Sequence, residues 1–512
     1  MATGKVRFIR DHWQLIALVL FVLFQLVGIF IGFSLFVIGG INLHITVHAL
    51  VMFTYKVWQK ITAYLHHRWT MKTVRGHYLP YLFALLPGQD QLIRKLAGEF
   101  STFDTFKYQL SQQVSGYTDD LWLEVVRRSF GVNPPSVSVV VPIYDIEQDL
   151  LGQMMAGMAA QTYPNIGNVY LVVNDANDPE TVDYLNQEIA TKYASAPMRF
   201  TVTIEPAPGK RFAQMHGFEL CFEDGCEFLI HADGDGISHQ DFIANHIPIF
   251  LSDERIGLIT GDVRVINTSV NFLTRITGIR YLSAFWDERG SHSRGLIRKR
   301  KGEMICGSGP DLAFRVSVLK RFVRRWFYDE FAGLRSDYGD DRDATLKTME
   351  EGYQTIVNVE SIVWTDCPTD IATYRNQQTR WNKSAWKYNI KMYLGGTWHK
   401  LSFPVRFSVA YLTFYPFIVL AAIITVLLLA LHAFFVLGNP GLAWEILWPY
   451  IVTVIAVQWI FMSSTGLLLF RDPWYLIAPL YTILWFWVQI PARYVAARDI
   501  LKPGWMTRKK RE

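Results

Sequence analysis

Apolar positions divide this chain into regions of different period. An almost unbroken run from Trp13 to about Gly32 follows Lys5, Arg7 and Arg10. It has roughly the 20 residues a helix needs to span a bilayer, and no small-residue cleavage site interrupts it, so an anchor is expected and not a removed signal peptide. A second run, Phe33 to about Val57, carries Gly39, Gly40, Asn42, His44 and His48 and ends in Lys56 and Lys60. Basic residues at both outer ends of this pair put the next part of the chain in the cytoplasm. Residues 1–58 thus read as two transmembrane helices, and 59–133 as a helical cytoplasmic or interfacial linker that carries no motif of its own.

From Pro134 the pattern changes. Val137 to Pro142, Val169 to Val173, Thr201 to Ile204 and Glu227 to His231 are short apolar runs that predict strands. Helical spacing separates them at Gln148 to Gln161 and Phe212 to Phe222. This alternation predicts an α/β domain over 134–369 with a mostly parallel, doubly wound sheet, whose ligands collect at the carboxyl ends of the strands. Residues 370–406 read as interfacial helices and 407–512 as transmembrane and interfacial helices with a basic cytoplasmic tail. Phe407 to about Leu437 and Trp444 to about Phe470 are the expected crossings. The run from Trp474 to about Ala496 holds Pro479 and Pro491 and precedes Arg498, Lys502, Arg508, Lys509, Lys510 and Arg511. A crossing there would put those cations outside, so an interfacial or re-entrant helix is expected, giving about four crossings with both ends cytoplasmic.

Composition supports this partition: 51% of residues are hydrophobic and 15% aromatic. The net charge of +5 is small for 512 residues and gathers near membrane-segment ends, so nothing suggests a nucleic-acid partner. The four cysteines lack metal-type spacing and read as reduced thiols. His44 and His48 share a helix face, but with no third ligand nearby they read as polar contacts and not as a metal site.

The candidate chemistry sits at strand ends. Asp145, Asp175 and Asp233 each fall just past one. Asp233-Gly234-Asp235 is a D-x-D pattern, in which two carboxylates can hold a divalent metal that bridges a nucleotide diphosphate. Asp175 can contact a uracil and ribose, or else cap a helix. Gly209-Lys210-Arg211, ahead of a helix, offers cations and free backbone N–H groups to phosphate or base. Asp340 and Asp341, followed by Arg342, can poise one proton acceptor, because a neighbouring carboxylate disfavours ionisation and an arginine favours it; Asp341 is the expected base. Gln377, Arg380 and Trp381 form Q-x-x-R-W, close to one helix face, where an arginine can neutralise a leaving diphosphate and a tryptophan can stack on a sugar.

These motifs, with Ala160 to Pro164, Thr260-Gly261, Leu273 to Tyr281, Ser308-Gly309-Pro310, Gln377 to Ser384 and Trp505 to Arg508, resemble the processive, membrane-embedded family-2 glycosyltransferases, most closely the class I hyaluronan synthases. The resemblance implies a domain of the nucleotide-diphospho-sugar transferase type. It implies that Asp175 and Lys210 bind uridine diphosphate, that Asp235 with Asp233 holds Mg2+ or Mn2+, and that Asp341 is the base. Ser308, Gly309 and Pro310 would border the acceptor sugar, with Gln377, Arg380 and Trp381 closing over diphosphate and acceptor. It further implies UDP-glucuronate and UDP-N-acetylglucosamine as donors, a polysaccharide secreted through the chain's own membrane helices, and a protein that can act as a monomer. Chitin, cellulose or another capsule polymer is the alternative product, and an export channel with an inactive transferase domain the alternative class. Val173-Asn174-Asp175-Ala176-Asn177 departs from the paired aspartate followed by Gly-Ser that the family usually carries.

Overall fold

The computed structural model describes residues 40–175, 178–293, 302–336, 338–448 and 462–502. The expected crossing at Trp13 to Gly32, residues 449–461 of that at Trp444 to Phe470, the side chains of His44 and His48, and Trp505 to Arg508 lie outside the described residues or side chains.

The expected strands form as β1 (Val137–Ile143), β2 (Ile166–Val173), β3 (Arg199–Ile204) and β4 (Phe228–His231), and β5 (Ile237–Ser238), β6 (Ile256–Val265) and β7 (Leu312–Arg315) follow. A small hairpin, β8 (Glu330–Phe331) and β9 (Leu334–Arg335), precedes β10 (Gln354–Thr365). Eight of these make one sheet in the order β3-β2-β1-β4-β7-β6-β10-β5. Pairing is parallel from β3 through β4 and between β6 and β10. β7 runs antiparallel to both β4 and β6, and β5 antiparallel to β10. β1 is buried along its whole length, as a strand covered on both faces must be.

The sheet does not close its core alone. One helix, Gly40–Leu85, runs through the end of the second apolar run and on into the polar region after it. Met71, Val74, Tyr78 and Leu82 of this helix, with Phe103, Phe106 and Trp122, share one hydrophobic core with the strands. Polar contacts fix the join: Arg75 grips Glu360 of β10 through two bonds, at 2.7 Å and 3.2 Å, both side chains being buried. Lys107 Nζ and Trp122 Nε1 donate to the two oxygens of Asp241 at 2.8 Å each. The stretch 59–133 forms four helical segments, ending at Phe130, and is part of the wall of the α/β domain.

The helix Ile371–Leu394 carries Q-x-x-R-W, and the helix Phe403–Leu431 covers most of the next expected crossing. Among the described residues, one helical stretch, Pro473–Arg498, is long and apolar enough to cross a membrane. It is the run for which the charge pattern predicts an interfacial position. Its mixed geometry, a 3-10 turn over Pro473–Leu480 and a π turn over Trp485–Gln489, follows the prolines at 473, 479 and 491, which interrupt regular bonding.

Candidate active site

Four carboxylates and two cations converge at the strand ends near the middle of the sheet. β4 ends at His231, and Asp233 to Gly236 form a turn closed by a bond from Gly236 N to Asp233 O of 3.0 Å. Lys210, first residue of the helix Lys210–Glu223, reaches across to Asp233 Oδ1 at 2.5 Å and stands 3.7 Å from Asp340 Oδ2. Gln214, one turn further along the same helix face, donates to Asp340 Oδ2 at 2.7 Å and lies 2.9 Å from His231 Nε2.

Asp340 and Asp341 open the helix Asp340–Glu350, where the positive end of the helix dipole suits acidic side chains. Gly339 before it adopts φ +77°, and a β-carbon there would stand 2.2 Å from Ser384 Oγ. This glycine lets the Q-x-x-R-W helix close onto the acidic pair. Asp370 starts that helix by accepting from Thr373 N at 2.9 Å. The Arg380 guanidinium feels the charge of all four carboxylates: burial lowers its proton affinity, and Asp340, Asp233, Asp341 and Asp235 each oppose that. Trp381 is 41% exposed and stands 6.1 Å from the Tyr281 ring at 53°.

The two adjacent aspartates are shifted in opposite directions. Burial would raise Asp340, but Lys210, His231, Arg211 and the Gln214 amide outweigh it and hold its carboxyl well below the usual range. Burial and the charge of Asp340 push Asp341 up. Asp235 is pushed up to about 6, by burial and then by Asp233. Burial, with Lys210, holds His231 down at about 4, so it is neutral at pH 7.

The remaining sequence-predicted residues divide. Ser308, Gly309 and Pro310 form a turn beside Asp233, with a β-carbon on Gly309 falling 2.9 Å from Asp233 Oδ2 and 3.4 Å from Lys210 Nζ. Asp145 follows β1 in the left-handed region, φ +52°, a conformation aspartate tolerates better than most residues. Asp175 follows β2; the helix after it is capped by Asp178, which accepts from Thr181 N at 3.2 Å, so capping belongs to that neighbour. Gln377 lies one turn before Trp381 on the same helix, and Arg342 N donates to Asp341 Oδ1 at 2.7 Å. Arg211 is not brought to the cluster's open side. It is buried, donating to Asp343 Oδ2 and Tyr388 OH at 2.9 Å each and to Trp326 O, which locks the Lys210 helix to the Asp340 and Q-x-x-R-W helices. Sequence reading missed Gln214 and His231; the signal available was the one-turn spacing of Gln214 from Lys210.

For a divalent ion, Asp233 and Asp235 offer hard oxygen ligands, and the charge crowding that lifts Asp235 is what a cation would relieve. Among the described residues no third acidic, histidine or cysteine side chain completes a metal cluster, so diphosphate and water would complete the shell.

Residues 134–384 match the family described as "Glycosyltransferase like family 2". Hyaluronan synthase 3 of Homo sapiens is 27% identical over 311 residues, 60% of this chain and 52% of that protein. An N-acetylglucosaminyltransferase of Mesorhizobium japonicum is 27% identical over 253 residues, 49% of this chain and 56% of that protein. The chain spans about half the length of these curated relatives. Among solved structures, a mannosyltransferase from Pyrobaculum calidifontis in complex with GDP-Man and Mn2+ overlaps 84% of this chain and 99% of its own, at 15% identity and a TM-score of 0.43, too loosely to carry a conclusion. The family match spans both acidic pairs and ends at Ser384, just past Q-x-x-R-W, and over that span the chain carries a family-2 glycosyltransferase domain.

Proposed function

We propose that the chain is a processive, inverting glycosyltransferase that polymerises UDP-glucuronate (UDP-GlcA) and UDP-N-acetylglucosamine (UDP-GlcNAc) into hyaluronan and secretes it through its own membrane helices. The observation that supports the transfer step of this reading is the cluster in which Lys210 stands 2.5 Å from Asp233 and 3.7 Å from Asp340, with Asp340 held low and Asp341 pushed up. Asp341 takes the proton from the acceptor hydroxyl as that oxygen attacks the anomeric carbon. The bond from this carbon to the diphosphate oxygen breaks, its electron pair leaves with UDP, and attack from the opposite side inverts the centre. Lys210 and Arg380 neutralise the charge that develops on the diphosphate. Asp235 and Asp233 would hold Mg2+ or Mn2+, which when bound supplies further neutralisation of the leaving group. Asp175 and Asp145 would contact the nucleoside side of the donor. Ser308, Gly309, Pro310 and Gln377 would border the acceptor, and exposed Trp381 would stack on its terminal sugar.

The protein is purified in lipid with Mg2+ or Mn2+, and UDP release and polymer are followed with each UDP-sugar alone and in pairs. Hyaluronidase-sensitive polymer formed only with UDP-GlcA plus UDP-GlcNAc is the expected result. The likeness to an N-acetylglucosaminyltransferase favours a second reading, a polymer of one amino sugar, and polymer from UDP-GlcNAc alone would establish it. The cell membrane, with the transferase domain on the cytoplasmic side, is the proposed location.

A further inference from the structure

We propose that a buried pair, Asp311 and His246, positions the Ser308-Gly309-Pro310 turn for glycosyl transfer. The inference rests on the reading of this turn as the acceptor border. Both side chains are fully buried, and His246 Nε2 lies 3.1 Å and 3.2 Å from the two Asp311 oxygens. Neither residue can touch a substrate from there. Asp311 is, however, bonded into the turn through its backbone, and His246 holds Asp311 by its carboxylate. Asp311 N donates to Ser308 O at 2.9 Å and closes it. The Thr260 hydroxyl donates to Asp311 O at 2.6 Å and accepts from Ser308 N at 3.2 Å, so one side chain of β6 holds both feet of the turn.

Gly261, next on β6, explains how a carboxylate fits. A β-carbon there would stand 2.1 Å from Asp311 Oδ2 and 2.5 Å from Ser361 O. The Thr260-Gly261 pair thus supplies a hydroxyl and a space, both used by Asp311. His246, on the helix Phe242–Ser252, anchors the carboxylate from the far side of the sheet, on a helix that Tyr78 OH and Asn245 fix in turn through Ala244 O and Glu360 O. At the other end the turn touches Asp233 and Lys210, with room at Gly309 for less than a methyl group. A small shift of Asp311 therefore moves the acceptor border against the diphosphate-binding pair, while leaving that pair's own bonds in place.

The test compares Asp311→Asn, His246→Asn and the double variant of the full chain in lipid. UDP affinity is read by calorimetry, UDP release under saturating donor gives kcat, and thermal midpoints are recorded. Expected is kcat lowered by about 10- to 100-fold in each single variant with UDP affinity held within about twofold, because misplacement near the chemistry is costly in rate. The double variant should fall no further than the worse single one. Should either variant fail to fold, Thr260→Val removes the hydroxyl alone and should give the same split. Turnover at the wild-type rate in these variants overturns the pair as a positioning device, and so does a parallel loss of UDP affinity and kcat. A wild-type chain that releases no UDP from any UDP-sugar overturns the reading of the site and this inference with it.

Discussion

Asp340 and Asp341 are neighbours in sequence, yet Lys210, Gln214, His231 and Arg211 all bear on the first and not equally on the second. In the proposed reaction, that asymmetry suits the first to hold charge and the second to take a proton. Asp341→Asn should lower kcat by about 10²- to 10⁴-fold, the usual contribution of a positioned base, while UDP binding measured by calorimetry stays intact. Retained turnover would remove Asp341 as the base. The pH dependence follows from its sign. A base works only when ionised, and Asp341 is raised above its ordinary 3.8, so the acid limb of kcat should lie above that value and activity should fall as pH drops through it. Trp381→Ala acts elsewhere: it removes an exposed ring beside Tyr281, so shorter polymer at near-normal UDP release is expected on gel sizing, and unchanged length would argue against stacking.

At the scale of elements, what was legible is what depends on local pattern. The four strands from β1 to β4 carry continuous apolar runs, and the D-x-D, Asp340-Asp341 and Q-x-x-R-W motifs fall at strand ends or helix starts because turn geometry there is set by a few residues. β7 was not legible: its four residues have no period long enough to read, and only the turn at Ser308 to Asp311 reverses the chain into an antiparallel slot between β4 and β6. The same limit hid the true position of Arg211, whose partners Asp343 and Tyr388 come from helices more than a hundred residues away. Nor does sequence show that His67 and His292 are sealed against Trp286 O and Ser408 Oγ, each at 2.6 Å. Burial holds both at about 4, below the free value of 6.5. Protonation therefore favours the unfolded chain. Their stabilising contribution is full above pH 6.5 and is lost as pH falls towards 4, about 3 kcal/mol for each if nothing relaxes. Thermal midpoints should drop between pH 7.5 and pH 5, and His67→Gln, which cannot titrate but can still donate to Trp286 O, should flatten part of that drop. An identical pH response in His67→Gln would show that His67 is not among the groups responsible.

For the whole molecule, the family match and the folding unit do not coincide. The match covers residues 134–384. The core to which its strands belong also takes in Tyr78, Phe103, Phe106 and Trp122, all buried, together with Leu469. Fully burying one such side chain contributes roughly 1.5–3 kcal/mol, and removing one partner of a buried ion pair costs about 3–5 kcal/mol. Cutting at residue 134 would strip those four aromatic rings from the core. It would also leave Glu360 without Arg75 and Asp241 without Lys107 and Trp122. A domain's net stability is only about 5–15 kcal/mol, so losses on this scale exceed what the remaining unit can absorb. Residues 134–384 produced alone should therefore be insoluble or unfolded, with no cooperative melt by circular dichroism and no protected amides in β1 or β10. A piece from residue 54 to residue 402 keeps Tyr78, Trp122, Arg75 and Lys107 and should show both. If 134–384 melts cooperatively and binds UDP, then the helices before Pro134 stabilise the domain without being needed for it. The two buried ion pairs would then be a means of fixing the transferase domain to the two helices, Gly40–Leu85 and Phe103–Gln113, that precede it, and not a condition of its folding.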